Sequence, residues 1–315
     1  MLITPRTEHL IDLALEEDAA LGDLTSRAIF PPAHCSRALI KAKEPLVLCG
    51  VEIAARAFMR LDPSLQIEPA AADGDTLAAG APVLRVSGPT VALLTAERTA
   101  LNFLQRLSGI ATQARRYAAA VEGTAVRIVD TRKTTPAWRA LEKYAVRCGG
   151  AHNHRATLGE HVLIKDNHIA AAGSLARAVA LCRDAAPHGA RIEVETATLD
   201  QVKEALRAAA DIILLDNMSP KQITDAVAVI GGAALVEVSG GVTYETLRDY
   251  ALPGVDFISI GALTHSATAA DLSLDIVTEE KKPQSSATKK GDVLLAKTTA
   301  RQRRAAKKEG LRPRK

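Results

Sequence analysis

Aromatic side chains are scarce, with Phe, Tyr and Trp making up 3% of the 315 residues. Proteins that hold single-stranded nucleic acid stack its bases on such rings, so this composition argues against that role. There are only four cysteines, Cys35, Cys49, Cys148 and Cys182, and no two form a CxxC pair. That spacing suggests neither a disulfide framework nor a structural zinc site; core thiols in a reducing compartment are expected. No apolar run approaches the roughly 18 residues that cross a bilayer, so no membrane partner is expected. The opening MLITPRTEHLIDLALEED is charged and has no signal-peptide core, which leads to the expectation of a cytoplasmic protein.

What is present is the composition of a soluble globular chain, 47% hydrophobic and 24% charged, long enough for one large domain or two moderate ones. The net charge of +4 divides unevenly. Residues 281–315 hold 13 Lys and Arg against two acids, Asp292 and Glu309, whereas residues 1–280 hold 27 against 34. The body is therefore acidic and the end basic. Beyond Val293, Leu294 and Leu295 the basic segment has almost no large apolar residues, so it reads as disordered or as a marginal helix around 296–309. Two roles stay open for it: a solubilising extension, or a weak attraction for polyanions.

Residues 1–110 alternate short patterns. A helix is expected over 7–18, with short strands at 38–43, 47–49 and 82–87. A further helix is expected through 97–107, where Leu101, Leu104 and Leu107 recur at helical spacing and Thr95 serves as N-cap. From residue 125 a repeating unit begins, in which an apolar run ends in polar or glycine residues and a helical stretch follows. The runs are 125–129, 161–164, 191–194, 212–215, 234–238 and 255–260. Their later spacing suits strand-helix units of a parallel sheet with helices outside. Six runs are too few for an eight-stranded barrel of about 250 residues, so a smaller or incomplete α/β barrel is expected.

Polar residues follow every run, and the carboxyl ends of barrel strands are where active sites form. Arg132, Lys133, His154, Arg155 and Lys165 supply cationic groups. Glu195 and Asp216 supply acids, read as standing opposite the cations, and Ser239, Gly240, Gly241 and Gly261 supply small backbone positions. Arginine grips a carboxylate or phosphate with two parallel hydrogen bonds, and glycine lets N–H groups close on an oxyanion. Two acids suit ribose hydroxyls or a hydrated Mg2+ that also touches phosphates. The set reads as sugar-phosphate chemistry. A zinc site on His152 and His154 lacks a third ligand at suitable spacing. A Schiff-base role for Lys165 is the competing chemistry.

Seven motifs then make a resemblance specific. ERTALNFLQRLSGIAT (97–112), DTRKTTPAWRALEKYAVRCGGAHNHR (130–155), LIKDNHI (163–169), IEVE (192–195), LLDNM (214–218), SGGV (239–242) and ISIGALTHS (258–266) resemble quinolinate phosphoribosyltransferases, with GDLTS (22–26) fitting the N-terminal region. The resemblance covers roughly residues 5–277 in order. It implies a type II phosphoribosyltransferase-like fold: an N-terminal α/β sandwich over 1–112, an incomplete α/β barrel over 113–268, and a return segment at 269–280. It implies transfer of phosphoribose from 5-phosphoribosyl-1-pyrophosphate to quinolinate with loss of CO2, with Mg2+, in a homodimer or a multiple of dimers. Retention of DTRKTTP, NHR and IKDNH together argues against a paralogue that has lost the dicarboxylate substrate.

By the same resemblance, Arg98 reaches the neighbouring subunit's site, and Arg132, His154 and Arg155 cradle the quinolinate carboxylates. Lys133 and Lys165 contact quinolinate or the donor. Glu195 and Asp216 hold ribose hydroxyls and the magnesium-bound pyrophosphate, these four residues forming the expected catalytic set. Ser239, Gly240, Gly241 and Gly261 cradle the 5-phosphate, and Thr131, Ile260 and Ala262 complete the substrate contacts.

Overall fold

Thr4 opens the first helix, its hydroxyl accepting the Thr7 N–H at 3.2 Å, while Pro5, with no N–H to leave unpaired, takes the first helical position. The computed structural model describes residues 2–277, so the basic segment 281–315 and the helix expected in it lie outside the described residues. The first half holds helices α1 (Pro5–Ala19), α2 (Leu24–Ile29), α3 (Val51–Leu61) and α4 (Thr90–Ala120). Its strands are β1 (Cys35–Ala42), β2 (Leu46–Val47), β3 (Gln66–Pro69), β4 (Thr76–Leu77) and β5 (Pro82–Pro89). The second half runs β6 (Arg127–Val129), α5 (Arg139–Cys148), β7 (Val162–Ile164), α6 (Asp166–Ala172), α7 (Leu175–Ala185), β8 (Ile192–Thr196) and α8 (Leu199–Arg207). It ends with β9 (Ile212–Asp216), α9 (Pro220–Ile230), β10 (Leu235–Ser239), α10 (Leu247–Tyr250), β11 (Phe257–Ser259), α11 (Ala262–His265) and β12 (Leu272–Ile276).

Strands β12, β1, β5 and β3 form an antiparallel sheet in that order. The last strand thus returns to the first, pairing from Ala38 opposite Ile276 to Ala42 opposite Leu272. Ala38, Ile40 and Ala42 on β1 are buried at alternate positions, the pattern of a strand with one face on a core. Helix α3 turns Ile53, Ala54, Ala57 and Phe58 inward and packs against α4, which buries Ala100, Leu104, Leu107 and Ala111 among others. Each fully buried Leu or Phe contributes roughly 1.5–3 kcal/mol. Gly109 on α4 is needed because a Cβ there would stand 2.0 Å from the Thr268 carbonyl oxygen.

Helix α4 is longer than expected. Thr95 is not its cap; it sits inside the helix and donates its hydroxyl to the Val91 carbonyl at 2.7 Å. Threonine can satisfy a backbone N–H at a helix start or a carbonyl one turn back, and the true start follows Pro89. The helix also runs on past residue 112 to Ala120, carrying the chain from the antiparallel sheet to the parallel one.

The second sheet is parallel throughout, in the order β6, β11, β10, β9, β8, β7. All six expected runs form strands, with ends within two residues of the expectation. The order follows the sequence around a ring that is open between β6 and β7, which is an incomplete barrel. Continuous burial of Ile212, Ile213, Leu214 and Leu215 marks strands covered on both faces. At the opening, His152 acts through its backbone: its N–H donates to Ile128 O at 2.8 Å and its carbonyl accepts the Asp130 N–H at 3.1 Å. The four cysteines are free, but only Cys49 is buried; Cys35 is exposed and the other two are partly covered, which corrects the expectation of core thiols. Among the described residues no helix is long and apolar enough to cross a membrane.

Candidate active site

Because six parallel strands run the same way, the residues that follow them collect at one rim. There they line a cavity of about 670 Å³. Thr131, Arg132 and Lys133 enter it after β6, His154 and Arg155 from the ring's opening, and Lys165 after β7. Glu195 comes from β8 and Asp216 from the end of β9. Ser239 at the end of β10 brings Gly240 and Gly241, while Ile260, Gly261 and Ala262 follow β11. Every expected site residue is in this wall except Arg98, which is exposed on α4 and does not line the cavity. Asn217, Glu237, Thr243 and His265 also line it and were not anticipated.

The cationic wall is built to receive an anion. Arg155 is 8% exposed, and its Nη1 donates to the His161 carbonyl at 3.1 Å. Burial, then the neighbouring Arg132 charge, pushes the Arg155 pKa below its usual value. Arg132 Nε is buried with no hydrogen-bond partner among the described residues. Two crowded, desolvated guanidinium groups are costly unless a carboxylate or phosphate completes them. One acid is already paired with a cation of this wall, Lys165 Nζ bonding Glu195 Oε2 at 2.5 Å.

The loop after β6 is held from beneath. Asp130, fully buried, is not a cavity group; it bonds Lys143, accepts Asn153 Nδ2 at 2.7 Å and accepts the His154 N–H at 2.8 Å. It thereby fixes the strand end to the segment at the ring's opening. Glu142, also fully buried, accepts the Thr135 hydroxyl at 2.7 Å and Arg106 Nη2 at 2.8 Å. Thr264 donates to the Lys133 carbonyl at 2.7 Å. Arg132 and Lys133 therefore stand on a braced loop with little freedom to collapse onto each other.

The turns after β9 and β10 interlock. Asn217 adopts a left-handed backbone, φ 54°, donates its N–H to Ser239 O at 2.9 Å and its side-chain amide to Asp216 Oδ2 at 2.6 Å. Gly240 has φ +87°, and a Cβ on it would lie 2.3 Å from Asn217 Oδ1. Gly240 and Gly241 in succession bring backbone N–H groups to the cavity edge, an arrangement that suits a phosphate. Asn217 could have been suspected from the sequence, since Asn after a strand-end acid is a favoured left-handed turn residue.

One layer below the rim lies a second polar set. Glu193 is two positions before Glu195 on β8, and Glu237 two before Ser239 on β10, so both face the same way as those rim residues, into the barrel. Glu193 Oε2 lies 2.9 Å from His161 Nε2 and 3.1 Å from His154 Nε2. His154 Nδ1 accepts the Arg155 N–H at 2.8 Å, which fixes the His154 proton on Nε2. Burial would lower the His154 pKa, but Glu193 and Glu237 outweigh it and the net shift is upward. Burial raises Glu193, yet the two imidazole bonds bring it below its usual value. Glu237 is 3% exposed and is pushed up to about 7 by burial and then by the Glu193 charge. Strand periodicity alone could have flagged both acids.

His154, His161 and Glu193 offer ligand atoms within 4.8 Å of one another, but their mutual hydrogen bonds already account for the cluster. His152 is not part of it.

Known proteins match along most of the chain. Residues 110–275 match the family described as "Quinolinate phosphoribosyl transferase, C-terminal domain" and residues 23–108 match "Quinolinate phosphoribosyl transferase, N-terminal domain". The probable nicotinate-nucleotide pyrophosphorylase [carboxylating] of Bacillus subtilis is 43% identical over 260 residues, covering 82% of this chain and 90% of that protein. The protein of the same description from Synechocystis is 44% identical over 266 residues, covering 84% and 90%. The crystal structure of NadC from Streptococcus pyogenes superposes with a TM-score of 0.84 at 40% identity, covering 88% of this chain and 99% of that one.

Proposed function

The chain belongs to the quinolinate phosphoribosyltransferase family, and from that premise we propose how its rim cavity performs the reaction. The enzyme transfers phosphoribose from 5-phosphoribosyl-1-pyrophosphate to quinolinate with decarboxylation, giving nicotinate mononucleotide, pyrophosphate and CO2, a step of NAD biosynthesis. The observation that carries the assignment of roles is the meeting of Arg132, Arg155 and Lys133 with Glu195, Asp216 and the Gly240–Gly241 turn in one cavity.

In this reading Arg132 and Arg155 take the two quinolinate carboxylates, which supply the anion that Arg132 Nε lacks. Both ring nitrogens of His154 are already engaged, so His154 serves the cradle by fixing Arg155. Lys133, which is exposed, meets the donor side with Lys165. Ser239, Gly240, Gly241 and the turn at Gly261 hold the 5-phosphate through N–H groups, Thr131, Ile260 and Ala262 forming the flanking wall. Glu195 and Asp216 bind ribose hydroxyls.

Glu195 and Asp216 also fit Mg2+: they are hard oxygen donors on adjacent strands beside the place for a pyrophosphate, and such sites use one or two carboxylates plus phosphates. Bound there with the donor, Mg2+ would neutralise charge on the leaving group. The protein's own contribution is placement and electrostatics. As pyrophosphate departs, ribose C1 gains oxocarbenium character, and the quinolinate ring nitrogen must stand about 3–3.5 Å away and in line. Lys133 and Lys165 stabilise the departing anion. No general base is needed, because the attacking nitrogen carries a free lone pair.

We assign Arg98, exposed on α4, to the cavity of a second subunit, which makes the homodimer the working unit, and we read the enzyme as cytoplasmic. The roles are tested by incubating the enzyme with quinolinate, 5-phosphoribosyl-1-pyrophosphate and Mg2+ and following nicotinate mononucleotide and CO2. Arg132→Lys, which cannot form the paired bonds, should raise KM for quinolinate about 10–100-fold, a loss of about 1.5–3 kcal/mol. KM for the donor should stay within a few-fold. Equal rises in both constants would show that Arg132 does not discriminate between the two ligands.

A further inference from the structure

Loss of CO2 from quinolinate leaves an electron pair on ring carbon C2 that must receive a proton, and none of the roles assigned so far supplies one. We propose that Glu237 is that acid: a buried carboxyl on the floor of the rim cavity that hands its proton to C2 as CO2 leaves. The proposal rests on the reading of the cavity given above and extends it by one catalytic residue.

Three features single out Glu237. Its side chain faces the barrel interior and lines the rim cavity, yet it is 3% exposed. Its Oε1 is buried and makes no hydrogen bond among the described residues. It stands 3.5 Å from His154 Nε2, and His154 in turn holds Arg155, the proposed carboxylate grip. The acid is thus next to where a carboxylate is held, and that is where the proton is needed.

Glu237 also borders a second cavity. This space, about 650 Å³, is lined by His161, Glu160, Arg191 and Glu193 as well as Glu237. With His154 and Arg155, the residue thus stands between the two cavities. A carboxylate left there after proton transfer can be reprotonated from below without water entering the reaction cavity.

The groups that face Glu237 keep it an acid. Burial and the Glu193 charge on β8 raise its pKa to about 7, against smaller downward effects from His154 at the ring's opening, Ser259 on β11 and Lys165 beyond β7. Glu193 is itself kept ionised by two imidazole bonds, so the pair divides its roles: one acid charged and committed to histidines, the other able to hold a proton. A neutral Glu237 also avoids repelling the quinolinate carboxylates.

In the transfer, the bond from C2 to the carboxylate carbon breaks and its electron pair stays on C2, beside the positively charged ring nitrogen. CO2 departs, the Glu237 O–H breaks, and a C2–H bond forms. Glu237 is left as a carboxylate and regains one proton from water, which matches the single proton that decarboxylation consumes.

Single-turnover experiments on the full-length enzyme with quinolinate, the donor and Mg2+ separate the two stages by measuring pyrophosphate and CO2 in the same quenched samples. With Glu237→Gln, pyrophosphate release should stay within a few-fold of the parent. CO2 release should fall by about 100-fold or more, the contribution usual for a general acid, and a mononucleotide retaining both carboxylates should accumulate. Unchanged CO2 release, or equal loss of both stages, would overturn the proposal. Failure of the parent enzyme to release pyrophosphate would instead overturn the cavity reading.

Should the Gln variant not fold, the parent decides. Glu237 is the acid only below its pKa, so the ratio of CO2 to pyrophosphate release rates should fall about tenfold per pH unit once pH rises above about 7. A ratio independent of pH between about 6 and 9 would refute it.

Discussion

Asp130→Ala should damage the enzyme through a residue that the substrate never touches. Asp130 and Lys143 form an ion pair whose side chains are 0% and 6% exposed, at the point where β6 ends and α5 passes overhead. Removing the carboxylate leaves the Lys143 ammonium buried with only the His154 carbonyl, at 2.8 Å. Breaking one side of a buried pair costs about 3–5 kcal/mol, far more than the pair itself contributes over an apolar replacement. At roughly 2–4 °C per kcal/mol for a domain of this size, the thermal midpoint should fall by about 10 °C. The same change frees the Asn153 amide and the His154 N–H, so the segment carrying Arg155 loses its anchor and KM for quinolinate should rise with it. Urea unfolding, with the midpoint compared at constant slope, measures the first effect, and initial rates at varied quinolinate measure the second. Asp130→Leu combined with Lys143→Met should recover more than half of the lost stability, because no charge is then stranded. A loss below about 1 kcal/mol for the single variant, or a double variant no more stable than the single, would refute the account.

Gly240→Ala should raise KM for the donor about tenfold or more while leaving KM for quinolinate nearly unchanged. Its φ of +87° costs an L-residue about 1–2 kcal/mol, and its Cβ would displace Asn217 Oδ1 from 2.3 Å away. Gly80→Ala is the control, because φ is +85° but nothing lies within 4 Å; it should lower stability and leave both constants alone. If Arg98 completes a second subunit's cavity, Arg98→Ala and Lys133→Ala enzymes, each inactive alone, should regain activity when mixed to form heterodimers. Verified heterodimers with no activity would refute the shared site.

The barrel was legible because its strands are short apolar runs that each end in a polar group. That pattern fixes where a strand stops and where its chemistry gathers, so the sequence alone puts Arg132, Lys165, Glu195, Asp216 and Ser239 at one rim. Features that depend on partners distant in sequence were not legible. Thr95 has the chemistry of a cap, and only the position of Pro89 and the carbonyl of Val91 put it inside α4. Asp130 heads a motif of rim residues, yet its partners Lys143, Asn153 and His154 turn it inward.

Glu193 and Glu237 are a third case, in which strand periodicity already carries the placement. Both sit two positions before a rim residue on their strands, so the period of a β-strand already required them to face the barrel interior. An acid in that position must be paired or protonated, because desolvated charge is expensive. The pairing of Glu193 with two histidines leaves Glu237 to take the other course. The two acids differ in partners rather than in sequence context. That difference makes one a support for the substrate grip and the other a reservoir for the single proton that the chemistry consumes.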